Sequence, residues 1–411
     1  MTYCYNKFNN TLESITIPYE YTSIDKKAFY KFSNLTSIDI PNSVKYIGEN
    51  AFYGCSNLSS IIIPISVTKI DNKCFYNCYN LSSITIPTSV IEISEQAFCY
   101  CSNLSSIIIP NSISEISQFS FSHCRNLSSI VIPSSVTRIG EYAFWCCYNL
   151  TSIDIPNSVS EIECNAYSDC FNLSSITIPS SVTKINKYTF KRCYNLNSIT
   201  IPNSVIEIGD NSFNYCFSLR SITIPNSVSK IGQCAFCNCY NLSSIIISTS
   251  INEINYGVFY SCSNLSSITI PTSVSKIDCR AFENCHNLSS ISIPNSVIEI
   301  SHNSIKYTKL KYLKISKYLY DKDNLEYHLN NKCKVEFCDD ESERKFEEDY
   351  ENESENEIDD EKKEKDVIFK LEEPNYKILL QAYKNVSQKY PILFKEFEKE
   401  VLKLDPDFKF E

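Results

Sequence analysis

An Ile-Pro dipeptide recurs every 23 residues along this chain, with Pro at 18, 41, 64, 87, 110, 133, 156, 179, 202, 225, 271 and 294. Ser248 stands at the one position where Pro would fall. The spacing runs without insertion or deletion from Leu12 to Leu288. A period held that strictly excludes a string of independent globular domains. It demands one short unit that buries its apolar face only by stacking on its copies. The unit reads Leu-Ser-Ser-Ile-Thr-Ile-Pro-x-Ser-Val-x-x-Ile-x-x-x-Ala-Phe-x-x-Cys-x-Asn, and a last copy at Leu310 to Ile315 arrives one residue early. Fourteen strand segments in register are predicted.

Within a unit the spacing assigns each side chain a direction. Leu58, Ile61 and Ile63 put two Ile on one face of a short strand, with Leu entering the core from the preceding turn. Pro64 ends the strand because it has no backbone N–H to donate. Ser at Pro+2, present from Ser43 to Ser296, is expected to cap a turn. Val67 and Ile70 form a second inward pair. Ala51, Phe52 and Cys55, at i, i+1 and i+4, fit one helical turn laid on the core.

This unit resembles the leucine-rich repeat of the BspA type, over about residues 11–316. The resemblance implies a curved solenoid with a parallel sheet on one face and short helical or irregular turns on the other. It also implies a non-enzymatic protein-binding scaffold. Members of that family include cell-surface adhesins that bind host or matrix proteins, which is one alternative reading here.

Several columns of the repeat invite a functional reading. Cys55 to Cys285 form a column of eleven, expected to be reduced, buried and small rather than cross-linked. Cys234-x-x-Cys237-x-Cys239 has zinc-like spacing, but Cys239 belongs to that column and no His is close in sequence, so no metal or other cofactor is expected. The Asn column (Asn34, Asn57, Asn80 onward) makes ten Asn-Leu-Ser/Thr sequons, too closely spaced for glycans, and is expected to hydrogen-bond loop backbone between rungs. A ladder of charges precedes the second inward Ile and alternates in sign from Glu115 to Glu299. The outward strand positions are mostly Ser and Thr, either a binding face or a solvated one. Immediately after the Cys column, Tyr148, Phe171, Tyr194, Phe217 and Tyr240 occupy five successive units. Such rings either stiffen the ladder or form an exposed partner-contact strip. Their confinement to the middle units favours the contact strip.

Charge is concentrated at one end. The chain of 411 residues carries a net −10, and residues 339–373 alone hold 18 acidic and 6 basic side chains. No basic stripe exists to neutralise phosphates, so no nucleic acid is expected as a partner. Residues 1–316 are read as the solenoid, with an N-terminal cap within 1–11, and residues 317–338 as its C-terminal cap, including a strand near Cys333–Phe337. Residues 339–366 read as an acidic disordered linker, and 367–411 as amphipathic helices that dock on the solenoid or a partner. The acidic segment offers a further alternative, a binder of basic proteins. No apolar run is long enough to span a membrane, and Met1–Thr11 does not read as a signal peptide. The cytoplasm is therefore the expected location, with the cell surface by a non-classical route as the alternative. Six Gly and four His, with no Ser/His/acid grouping or nucleotide motif, point away from an enzyme.

Overall fold

A computed structural model describes residues 11–322, 325, 329 and 332–338, with the backbone of Thr2 and Tyr3. It is a parallel β-solenoid. A first ladder of fourteen short strands runs from Ser14–Thr16 to Tyr312–Ile315, one strand per repeat. Neighbours are parallel and offset by one repeat, as in Ser106↔Ser129 and Ile107↔Ile130. The last pairing, Ser290↔Tyr312, absorbs the early final copy. A second ladder of two-residue strands, among them Glu115–Ile116 and Arg138–Ile139, follows the same offset. Hydrogen bonding breaks both ladders into blocks of two to four strands.

The repeat's apolar columns meet in one continuous core. Leu58, Ile61, Ile63, Val67, Ile70, Ala51, Phe52 and Cys55 and most of their equivalents are buried, with Leu12, Ile84 and Ile86 half-buried against them. The Phe column stacks ring on ring, Phe52 on Phe75 at 5.4 Å and Phe213 on Phe236 at 5.3 Å. Such pairs add to the burial term that drives the stack together.

The third side of each rung is not the helical turn that the Ala-Phe-x-x-Cys spacing predicts. Every repeat there holds two residues in the left-handed region, four apart, such as Lys73 (φ 53°) and Asn77 (φ 61°), or Asn211 (φ 54°) and Tyr215 (φ 64°). Backbone donors alternate in consequence. Asn50, Phe52 and Gly54 donate across to the next rung, to the carbonyls of Asn72, Cys74 and Tyr76 at 3.0, 2.9 and 2.7 Å. Ala51, Tyr53 and Cys55 donate three residues back within the rung, at 3.1 to 3.2 Å. A helix would direct its amides along its own axis, to carbonyls four residues back. Here half of them link rungs, and this side becomes a hydrogen-bonded ladder as well.

The Ser at Pro+2 also acts between rungs instead of capping its own turn. Ser89 Oγ donates to the Val67 carbonyl at 2.8 Å, and Ser204 Oγ to that of Val182 at 2.7 Å. Where Pro is missing, Ser248 takes over and donates to the Val228 carbonyl at 2.6 Å.

After the last repeat comes a short helix, Lys317–Lys322, the one α-helix among the described residues, with Leu319 buried. A strand at Lys334–Phe337 then adds parallel to Tyr312–Ile315 and carries a Lys314–Glu336 ion pair of 3.1 Å. The expectations for residues 339–411, the acidic linker and the amphipathic helices, lie outside the described residues.

Candidate contact surface

The five rings singled out in sequence do come together. Tyr148, Phe171, Tyr194 and Phe217 stack with centroids 4.6 to 4.7 Å apart, and Tyr240 follows at 5.2 Å with its plane tilted. They do not form an exposed strip. Tyr148, Phe171, Tyr194 and Phe217 are only 3 to 8% exposed, and Tyr240 alone is half-buried. Phe171, Tyr194 and Phe217 are covered on both faces by rings of adjacent rungs, and Tyr148 by Phe171 and by the Arg125 guanidinium 5.7 Å from its centroid, so stacking itself removes the surface a partner would need.

The exposed apolar surface lies elsewhere, on the outward side of the first ladder. Two positions before each Pro, this column reads Asp39, Ile62, Thr85, Ile108, Val131 and Asp154 in successive rungs. Ile62, Ile108 and Val131 are 72, 81 and 74% exposed. Strand register places Ile62 beside Thr85 and Ile108 beside Val131. The neighbouring outward column is serine from Ser37 to Ser290, also largely exposed. The result is an apolar stretch four rungs long, about 15 Å at ordinary strand spacing, edged by serine and closed at each end by an exposed aspartate. The sequence carries a signal for this surface: Ser-Ile-Ile-Ile at 60–63 replaces the prevailing Ser-Ile-Thr-Ile.

The other columns are structural. All eleven column cysteines donate Sγ–H to the carbonyl 26 residues earlier, Cys55 to Phe29 at 3.1 Å and Cys170 to Phe144 at 3.2 Å among them. Burial pushes the Cys55, Cys239 and Cys285 thiols up to about 12 and holds the others well above the ordinary thiol range. Each of the twenty described cysteines is a thiol rather than half of a disulfide. The Asn side chains bond one another rather than loop backbone. Asn103 Nδ2 donates to Asn80 Oδ1 at 3.1 Å and Asn195 Nδ2 to Asn172 Oδ1 at 3.0 Å, with Ser218 interrupting the series. The charge column pairs across rungs, Lys69 with Glu92 at 2.9 Å, Arg138 with Glu115 and Glu161 at 3.3 and 3.4 Å, and Lys276 with Glu299 at 2.9 Å. These pairs are exposed and contribute little each, but they reinforce register.

One polar cluster is partly buried, with His123 and Asp169 inside and Arg192 exposed at its edge. His123 stacks on Tyr100 at 4.1 Å and bonds Ser122 Oγ at 2.9 Å through Nδ1. Desolvation first, then Arg125, lowers its pKa to about 3, so it is neutral at physiological pH. Trp145 Nε1 donates to Asp169 at 3.0 Å, and Arg192 pairs with the same carboxylate at 3.4 Å. Among the described residues no group of three or more His, Cys, Asp or Glu is placed to hold a metal. The zinc-like triplet is not assembled, because Cys239 is committed to the Phe213 carbonyl at 3.2 Å. No described helix is long and apolar enough to cross a membrane.

A parallel β-solenoid with this inward Leu/Ile/Phe/Cys pattern defines a leucine-rich repeat protein. The chain belongs to the BspA-type leucine-rich repeat family, whose model matches residues 2–118, 91–220 and 206–334. It is similar to a leucine rich cell surface protein from Faecalibacterium prausnitzii, at 30% identity and TM-score 0.51, over 81% of this chain and 89% of that one. It is also similar to a leucine-rich repeat protein from Bacteroides ovatus, at 26% identity and TM-score 0.56, over 81% and 94% of the two chains. No curated protein matches the sequence.

Proposed function

We propose that the chain is a non-enzymatic protein-binding scaffold that meets its partner through the outward column Ile62, Thr85, Ile108 and Val131. The observation that carries this reading is the exposure of three β-branched alkyl side chains within four consecutive rungs. An exposed apolar patch with a polar rim is a usual mark of a protein contact. Asp39 and Asp154 at its ends suit a partner segment that is apolar in the middle and basic on both flanks. Thr already occupies this column at Thr85, Thr177 and Thr200, so Ile108→Thr with Val131→Thr keeps the strand propensity and removes the apolar surface. With a partner identified by cross-linking, the double variant should lose at least about tenfold in affinity, of the order of a contact hot spot. Ile91→Thr with Ile298→Thr, also exposed but lying just before strands of the second ladder, should bind normally. Equal binding by all three proteins overturns the assignment.

A second reading, a surface adhesin, is favoured by the likeness to the F. prausnitzii cell surface protein. Labelling of intact cells with an impermeant reagent separates the two: an adhesin is labelled, an internal scaffold is not. A role for residues 339–366 in holding basic proteins predicts salt-sensitive capture that vanishes when that segment is deleted.

A further inference from the structure

Cys234 and Cys237 stand at the two ends of one tight turn, closed by a hydrogen bond from the Cys237 amide to the Cys234 carbonyl at 3.1 Å. Such a turn holds its end Cα atoms within about 7 Å, and a disulfide spans about 4.4 to 6.8 Å. The two sulfurs are already within hydrogen-bonding reach of each other. Access is graded: Cys234 is half-buried, and Cys237, which its spacing alone places in a loop, is buried at 6% exposure.

Two features set this pair apart from the cysteine column. The column thiols are sealed and engaged with carbonyls, whereas Cys234 is reachable from solvent. On the next rung, Gly257 lies directly against the Cys234 sulfur. A Cβ at that position would come within 3.1 Å of Sγ, so the glycine leaves the sulfur room to turn. On the other side Asn238 Nδ2 donates to Cys237 Sγ at 3.2 Å, while the neighbouring Cys234 thiol first, then burial, push the Cys237 thiol up, so Cys234 is the sulfur placed to react first.

We propose that Cys234 and Cys237 form a redox-active dithiol that exchanges with small disulfides of the glutathione class. The deprotonated Cys234 sulfur attacks one sulfur of the disulfide, forming a mixed disulfide and releasing one thiolate. Cys237 then loses its proton to solvent and attacks Cys234 Sγ, expelling the second thiolate and closing the Cys234–Cys237 bond. The protein loses two protons and two electrons, and the small disulfide gains them to become two thiols. The effect reaches the aromatic column, because Asn238 also donates to Asn214 Oδ1 at 3.3 Å and accepts from the Tyr240 hydroxyl at 3.3 Å. Drawing Cys237 Sγ toward Cys234 therefore frees an Asn238 donor beside Tyr240.

The full chain, folded and reduced, is equilibrated in a glutathione redox series, alkylated after quenching and unfolding, and mapped by mass spectrometry. The expected product is a Cys234–Cys237 link with Cys239 and Cys262 still alkylated. Cys237→Ser should stop at a glutathione adduct on Cys234, and Cys234→Ser should form no adduct on Cys237. No Cys234–Cys237 link at any redox ratio, or a link made instead by Cys239, overturns the proposal. Circular dichroism identifies a variant that fails to fold, in which case the mapping of the unmodified chain decides.

Discussion

Phe144 and Tyr167 lie face to face on adjacent rungs, with ring centroids 5.4 Å apart and planes 4° from parallel, and the Tyr167 hydroxyl is buried without a hydrogen-bond partner. From Phe29 to Phe282 this column otherwise holds Phe. A buried hydroxyl with nothing to bond costs about 1 to 3 kcal/mol. Tyr167→Phe should therefore stabilise the solenoid, by about 1 kcal/mol, seen as a higher thermal unfolding midpoint. A lower midpoint would mean that the hydroxyl has a partner in solution.

The ring column beside it behaves differently on truncation. Phe171 is 4% exposed and stacked at 4.6 and 4.7 Å on Tyr148 and Tyr194. Truncating a buried Phe costs about 3 to 5 kcal/mol, and Phe171→Ala should fall in that range. Urea unfolding measures it. A cost under about 1 kcal/mol, typical of surface positions, would return this column to the candidates for partner contact.

Backbone conformation at the turns is open to a paired test. Asn77 has φ 61° and sits one rung from Gly54, which has φ 72°. Asn77→Gly should be tolerated within about 0.5 kcal/mol, whereas Asn77→Val should cost about 2 kcal/mol, because a β-branched side chain is strained in this region. Equal stability of the two variants would show that the turn can relax out of the left-handed conformation.

The buried thiols make the fold sensitive to base. Burial raises Cys55, Cys239 and Cys285 from 9.0 to about 12, while the unfolded chain keeps the ordinary value. Above about pH 9 the unfolded state releases thiol protons that the folded state retains, so stability is full below that pH and falls as pH rises toward 12. Each thiol contributes a slope of at most about 1.4 kcal/mol per pH unit. Replacing Cys124, Cys147 and Cys170 with Ala should flatten the fall, as measured by urea unfolding from about pH 8 to about pH 11. An unchanged slope would mean that these thiols titrate alike in both states.

Much of this molecule was legible before any coordinates. The 23-residue period determined the parallel stack, the offset of the strand pairs from Ser14↔Ser37 to Ser267↔Ser290, the inward Leu, Ile, Val, Phe and Cys columns, and the pairing of Glu115, Arg138 and Glu161. Stacked copies bring equal positions together, so a column read from the sequence is a row of contacts in space. Three matters waited for the tertiary structure. The Ala-Phe-x-x-Cys spacing suits a helix as well as a pair of left-handed turns, and the choice falls to the turns because they leave alternate amides free to bond the next rung. One sequence clue was there: neither left-handed column contains Val, Ile or Thr in any repeat. Burial of Tyr148, Phe171, Tyr194 and Phe217 is a property of neighbours rather than of residue type, since each ring is covered by side chains from the adjacent rungs. The exposure of Ile62, Ile108 and Val131 has the converse cause. They share the strand and residue type of the core, but the period-2 alternation turns them outward, where no part of the described chain packs over them.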